Sequence, residues 1–511
     1  MSIFSKVRVK KPKYSKFNLG HNVKLTCNFG ELIPFMCNEV VPGDVFSNKS
    51  ELFLRFAPLL APIMHEVNVY THFFYVPNRL IWEDWEDFIT GGVTGEDAPV
   101  HPHFAFGGPD ILKGSLGDYL GIPLEMNAQP RERFRINALP FRAYNLIYNE
   151  YYRDQTLSKE AYLSLKSGQD TYGGNYNLVQ KRAWEKDYFT SALPFPQRGD
   201  DVHINAGSTA PVRGNGALRF TRGAVGDKDV ILRTPSVGAS AELYANGEKL
   251  RVHPDNSGLY ADLSDAKGAT INTLRRATSL QEFLEIAARV GSRYKEQLLG
   301  YFGVNSSDAR LQRPEYLGGG KSHVVISDVP QTSETTDKSA QATLAGNGVG
   351  YQVTNGFKKR FEEHGILMGI MSVLPRTSYS QGVPKLFLKE DRFDYYFPQF
   401  ANMGEQPILN KELDATSSQP DEVFGYTPRY AEYKYKPSTI HGDFRDTLNF
   451  WHLGRQFENP PKLNEEFIKC NYENLQRIFA VEDNAQDKII VQLYNDTRAI
   501  RPMPYYGTPS L

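Results

Sequence analysis

Two apolar runs lying far apart in the chain constrain its fold more than any other feature. In Val67–Val76, Val67, Val69, Thr71, Phe73 and Tyr75 face one way, and Asn68, Tyr70, His72, Phe74 and Val76 face the other. Both faces are largely apolar or aromatic, the pattern of a strand buried on two sides, and Pro77 ends it. Gly365–Leu374 (GILMGIMSVL) is too short to cross a bilayer and reads as a central buried strand closed by Pro375. Strand-like text begins at Glu31, and later candidates are Phe393–Phe397, Glu432–Tyr435, Leu448–Trp451, Arg477–Val481 and Ile489–Leu493. A sheet drawn from both ends of a chain cannot be two sequential domains. A length of 511 residues would by itself suggest about three domains. The strand distribution favours one β-domain swollen by long insertions.

The helical signals fall between the strands, as insertions would. Pro140–Asp154 carries Tyr144, Ile147, Tyr148 and Tyr151 on one face. Leu280–Leu299 opens on a Ser279/Glu282 capping box and closes at Gly300. Residues 201–268 are glycine-rich and poor in aromatics. Within them Asn246-Gly247 sits between alternating apolar positions, a type I′ hairpin signal. Thr90–Asp118 and Ser327–Tyr351 read as loops.

The formal net charge of −1 hides a segregation. Lys6, Arg8, Lys10, Lys11, Lys13, Lys16 and Lys24 precede the first acid, Glu31, so residues 1–30 carry +7 and the remainder −8. The segment reads as a basic arm, poorly periodic and without an apolar core of the secretory type. It either meets phosphates or wraps a neighbouring subunit with its lysines in solvent. Three cysteines, Cys27, Cys37 and Cys470, are too few for a disulfide framework and suit a reducing cytoplasm; a Cys27–Cys37 bridge is the less favoured alternative.

No catalytic constellation emerges. Gly318-Gly319-Gly320-Lys321-Ser322 resembles a phosphate loop, but Glu315 stands where the motif needs glycine, and a strand pattern follows instead of a helix. It reads as a glycine turn into a strand. Trp82-Glu83-Asp84-Trp85-Glu86-Asp87 could line a sugar cleft, which makes a carbohydrate-binding or carbohydrate-cleaving β-sandwich the alternative from another class. A partly buried tryptophan pair with solvated acids is the plainer reading. His101-Pro102-His103 lacks a third ligand at metal spacing. Basic clusters at 131–135 and Lys358-Lys359-Arg360 are solvated faces, subunit ion pairs or phosphate contacts. No catalytic residue, metal or cofactor is expected.

The sequence nevertheless carries a specific resemblance. FNLGHNVKLTCNFGELIPFMCNEVVPGDVF (Phe17–Phe46), RFAPLLAPIMHEVNVYTHFFYVPNRLIWEDWEDFI (Arg55–Ile89), LPFRAYNLIYNEYYRDQ (Leu139–Gln155), WEKDYFTSALPFPQRG (Trp184–Gly199), DARLQRPEYLGGGKS (Asp308–Ser322), GFKKRFEEHGILMGIMSVLPRT (Gly356–Thr377) and RPMPYYGTP (Arg501–Pro509) tile nearly the whole chain. In that order they resemble gokushovirus major capsid proteins of the Microviridae. Residues 201–268 match no such block.

The resemblance implies a mainly β subunit, an eight-stranded antiparallel jelly roll with long inserted loops and a few helices. It implies a single jelly-roll domain over 31–511 behind the 1–30 arm, assembled in the bacterial cytoplasm into a T=1 icosahedral virion around circular single-stranded DNA. It further implies that 201–268 builds a threefold protrusion whose hairpin residues Tyr244, Asn246, Gly247 and Glu248 meet a host surface receptor. Lys6, Arg8, Lys10, Lys11, Lys13 and Lys16 are the expected DNA contacts. The expected partners are other copies of the chain, a small basic DNA-binding protein, an internal scaffolding protein and a minor or pilot protein.

Overall fold

A computed structural model describes residues 13–106, 111–124, 134–170, 176–200, 202, 212–214, 220–222, 244–245, 248–252, 259–261, 271–330, 332, 343–354, 356–481, 483 and 486–506. Two antiparallel sheets of seven and four strands dominate it. In chain order their strands are β1 (Ser15–Asn18), β2 (His21–Cys27), β3 (Ile33–Val40), β4 (Val45–Phe56), β5 (Val67–Pro77) and β6 (Glu315–His323), followed by β7 (Val325–Pro330), β8 (Leu344–Val353), β9 (Phe357–Arg360), β10 (Gly365–Pro375) and β11 (Ile489–Arg501).

The larger sheet runs β1/β2–β11–β4–β8/β9, with β7 outside β8. β1 and β2 keep one register along β11, from Ser15 opposite Arg501 to Cys27 opposite Ile489. The amide of Leu19 bonds the Thr497 carbonyl between them (2.8 Å), so Ser15–Cys27 is one lane of the sheet, not free chain. The smaller sheet runs β6–β5–β10–β3.

The two inner faces close a common core. Phe46, Leu52, Leu54, Val491 and Leu493 from one sheet meet Phe35, Val69, Phe73, Leu367 and Met371 from the other. Ring contacts bridge the sheets, Phe73 with Phe357 at 5.4 Å and Tyr75 with Phe361 at 4.5 Å. This is the mainly β, two-sheet antiparallel sandwich of a jelly-roll subunit.

The smaller sheet is covered on its outer side as well. Phe74, Val76, Ile366, Met368 and Ile370 form a second core with Leu139, Phe141, Tyr144 and Ile147 of helix α1 (Leu139–Ile147). Every residue of β10 is therefore buried, as is nearly all of β5, which accounts for their unbroken apolar sequences. Among the described residues the larger sheet has no such cover. Along β4 burial alternates strictly, with Ser47, Lys49, Glu51, Phe53 and Arg55 exposed.

Several elements differ from the expectations. Of the later strand candidates only Ile489–Leu493 is a strand. Phe393–Phe397 lies between short 3-10 turns, where the Asp394 carboxylate accepts the amides of Glu390 and Asp391 (2.9 Å each) and Pro398 starts the next turn. Ala431–Tyr433 is a 3-10 turn entered through Tyr430 at φ 61°, and Asn449–Trp451 and Glu473–Ile478 are also 3-10 turns. Phe479 makes only an isolated bridge to Leu59.

Helix α2 (Ile271–Val290) begins well before Ser279, so no capping box forms there. It breaks at Gly291, and α3 (Tyr294–Phe302) ends at Gly303, past the expected Gly300. The expected loop at 327–351 holds the antiparallel pair β7–β8. Its glycines had masked it: a Cβ on Gly348 would lie 2.4 Å from the Phe56 ring, so the strand leaves room for a core aromatic.

The Gly318–Gly320 run is part of β6, not a turn. Gly318 takes φ 143° at a bulge opposite Phe73, and a Cβ on Gly319 would lie 2.2 Å from the Thr71 carbonyl oxygen. We expect Gly319→Ala to lower unfolding free energy by about 1–3 kcal/mol through overpacking. Chemical denaturation of the unassembled subunit checks this; an unchanged midpoint would contradict the packing argument.

A second compact unit spans Gln197–Ala287. Its described strands pair Tyr244 with Lys249 and Ala245 with Glu248, leaving two residues at the connection. Glu248–Val252 also pairs with Phe220–Arg222, and Val212–Gly214 pairs with Leu259–Ala261.

Candidate interaction surfaces

Two exposed surfaces stand out, and their chemistry differs. The first is a shelf of aromatic and aliphatic side chains built from the short turns after β10. Pro384 starts a 3-10 turn (Lys385–Leu388) that turns Leu386 (67% exposed) and Phe387 (75%) into solvent. Tyr395 and Tyr396 are exposed a few residues on, and Tyr433 and Tyr435 are exposed further along the chain, with Lys389 within 5.0 Å of the Tyr395 ring centre tying the two stretches together. The shelf is rigid underneath: Tyr396 packs edge-on against Tyr430 at 5.1 Å, and the Lys389 ammonium sits 4.1 Å from the Tyr433 ring centre. Large apolar rings held in water by an ordered base mark a surface made to be covered.

The second surface is the bare outer face of the larger sheet. Cross-strand pairing puts Lys24, Gln492, Phe53 and Tyr351 in one row across four adjacent lanes. Tyr494 lies two residues along β11 from Gln492, diagonal to Phe53. Cations outnumber acids on this face: Lys16, Lys24, Lys49, Arg55, Lys358 and Arg498 against Glu51 and Asp496. Arg498 is engaged with Asp496 at 3.2 Å, and Arg55 lies 5.2 Å from the Phe53 ring centre.

At one end of the face a groove of about 760 Å³ is lined by Lys24, Phe53, Arg55, Lys113, Tyr119 and Ile490, among others. Asp118 and Asp487 also line it; both accept local hydrogen bonds from neutral donors and keep their charge, so Lys24, Arg55 and Lys113 exceed the groove's acids by one. Asp118 accepts the Gly114 amide (2.8 Å), and Asp487 accepts from Thr26 Oγ1 (2.5 Å) and Asn28 Nδ2 (2.9 Å). Burial, reinforced by the nearby Glu31 carboxylate, pushes the Tyr119 hydroxyl well above its ordinary range. It stays protonated and donates to the Thr26 carbonyl (2.7 Å), pinning the groove wall to β2.

The residues singled out by sequence are distributed unevenly over these surfaces. Lys16 is exposed on the bare sheet face and Lys13 lies exposed just before it, while Lys6, Arg8, Lys10 and Lys11 lie outside the described residues. Tyr244 and Glu248 sit on the paired strands of the second unit, and Asn246 and Gly247 lie outside the described residues. The sheet-face aromatics Phe53, Tyr351 and Tyr494 escaped the sequence reading. Phe53 between Glu51 and Arg55 was a usable period-two signal, but its pairing with Tyr351 is a tertiary fact.

The sugar-cleft alternative loses its ring. Trp82 is fully buried in the second core, its Nε1 donating to Ser167 Oγ (2.7 Å), while Glu83 is exposed. His101 and His103 donate through Nδ1 to backbone carbonyls at 2.9 Å. Among the described residues no cluster of three His, Cys, Asp or Glu side chains could hold a metal, and no helix is long and apolar enough to cross a membrane. The three cysteines are free.

Comparison with known proteins agrees with this architecture. The family model described as capsid protein (F protein) matches residues 5–511. The chain is 38% identical to capsid protein VP1 of Bdellovibrio phage phiMH2K, covering 97% of this chain and 95% of that one. Against capsid protein VP1 of Chlamydia phage 1 it is 35% identical over 99% and 97% of the two chains, and against that of Spiroplasma virus 4, 34% over 97% and 95%. With a two-sheet sandwich, an exposed aromatic shelf and full-length matches of this kind, the chain belongs to the phage capsid (F) protein family, a structural component of virions.

Proposed function

We propose that this chain is the major structural subunit of a T=1 icosahedral phage shell that encloses a circular single-stranded DNA genome. The observation that carries the reading is the aromatic shelf at Leu386, Phe387 and Tyr395–Tyr396: an ordered apolar surface that no described residue of the subunit covers, matched to burial against another copy. The barrel supplies rigidity, and the inserted turns and helices supply the contacts.

The segment before Ser15, with Lys6, Arg8, Lys10, Lys11 and Lys13, supplies positive charge to the genome side. The second unit forms the protrusion, with the Tyr244–Val252 hairpin touching a bacterial surface receptor. A small basic DNA-binding protein, an internal scaffolding protein and a minor or pilot protein complete the assembly.

Sedimentation of purified particles with nuclease challenge tests the reading. Circular single-stranded DNA that co-sediments with a 57.8 kDa band and resists nuclease is the expected result. Particles of this chain that carry no protected DNA would overturn the genome-enclosing role.

A further inference from the structure

We infer that the bare face of the seven-stranded sheet, together with the groove at its Lys24–Arg55 end, is a single-stranded nucleic-acid track that reads backbone charge and base stacking without base identity. The inference rests on the genome-enclosing reading above, and it assigns the contact to the folded body of the subunit rather than to the basic arm alone.

Three features converge on that ligand. The first is charge. The face presents Lys16, Lys24, Arg55 and Lys358 in a chain whose formal charge is −1 overall, so the excess is local and complementary to phosphate. Lys113 adds a cation on the opposite groove wall.

The second is the aromatic arrangement. Phe53 (38% exposed) and Tyr351 (60%) are direct cross-strand neighbours, with Tyr494 diagonal to Phe53. Paired positions on one sheet face lie about 5 Å apart and diagonal ones about 7–8 Å, within the reach of successive unstacked bases. Rings on a sheet face interleaved with Lys and Arg are a sequence-tolerant platform for single strands, because every base has a π-face and only unpaired bases can reach it.

The third is the contrast between surfaces. The outer face of the other sheet is sealed by α1 and its neighbours, and the aromatic shelf carries Glu390, Asp391 and Asp394 beside its lysines. Among the described residues, the outer face of the larger sheet is the surface that joins solvent-facing rings to surplus cations. A subunit contact would be expected to bury those rings against apolar partners and to pair those cations with acids.

The test uses the full-length unassembled subunit and a fluorescently labelled oligo(dT) strand, read by anisotropy across a salt series. A hairpin duplex of equal phosphate count serves as control. The double variant Phe53→Ala/Tyr351→Ala should weaken single-strand binding about 10–100-fold at fixed salt and leave duplex binding unchanged. Lys24→Gln/Arg55→Gln should reduce the salt slope by about 1.4. Both variants should melt cooperatively as folded proteins, Lys24→Gln/Arg55→Gln close to the parent and Phe53→Ala/Tyr351→Ala a few degrees lower, because the paired rings contribute to the sheet.

Parent-like affinity and slope in both variants would overturn the inference while leaving the capsid reading intact. Normal single-strand binding combined with failed particle formation would also overturn it, and would make the face a subunit contact. Particles that form normally but never hold DNA would count against the genome-enclosing reading itself.

Discussion

Leu386→Asp/Phe387→Asp is expected to abolish particle formation while leaving the subunit folded. Both side chains stand on a 3-10 turn with most of their surface in water, so the monomer loses almost no packing when they change. In an assembled shell the same positions would place two desolvated carboxylates in an apolar contact. Truncating a central apolar anchor costs about 2–4 kcal/mol per interface, roughly a 30-fold to 1000-fold weakening, and symmetry repeats that loss at every equivalent contact. Sedimentation velocity should show a single slow species with a melting midpoint within about 2 °C of the parent. Particles at parental yield would mean that this shelf is not an assembly surface.

The largest expected loss of subunit stability lies beneath α1. Arg142 is fully buried and meets Asp170 through Nε (3.0 Å) and Nη2 (2.9 Å). Nη1 and Nη2 also donate to the carbonyls of Ile81 (2.9 Å) and Lys166 (2.7 Å), so one guanidinium ties the helix to two loops. Burial lifts the Asp170 carboxyl above its ordinary range, and the Arg142 charge opposes that lift. Without Arg142 the carboxylate must stay charged in an apolar site or take up a proton, and the buried Ile81 carbonyl and the half-buried Lys166 carbonyl lose their donor. We expect Arg142→Ala to cost about 3–5 kcal/mol. Arg142→Met/Asp170→Asn should cost less, because it removes the stranded charge. A double variant no more stable than Arg142→Ala would show that the carbonyl contacts dominate instead.

How much of this was legible in the sequence depends on how each element is buried. β5 and β10 are covered on two sides, so their apolar runs speak for themselves. β11 was legible only over Ile489–Leu493, because the inward, buried positions Asn495 and Thr497 are polar and break the apolar alternation. β1 and β2 were read as arm, since Lys16, Asn18, Asn22 and Lys24 dominate the composition. The inward alternation of Phe17, Val23 and Leu25 was the signal that could have found them. β8 hid behind glycines that yield to Phe56.

The aromatic clusters at 393–397 and 432–435 matched strand composition, yet side-chain-to-backbone hydrogen bonds wound them into turns. That same misreading concealed the shelf, because a strand would have buried alternate rings where the turns expose most of them. The sheet-face platform was beyond sequence reasoning for a different reason. Phe53, Tyr351 and Tyr494 become neighbours only through the pairing of β4 with β8 and β11.

The most direct test of the central claim is electron microscopy of purified particles formed by this chain, with the protein identified in the imaged fraction. Closed isometric shells of one diameter, built from repeated two-sheet subunits, are the predicted result. A homogeneous population of discrete monomers or dimers under conditions where the protein is folded and abundant would contradict it.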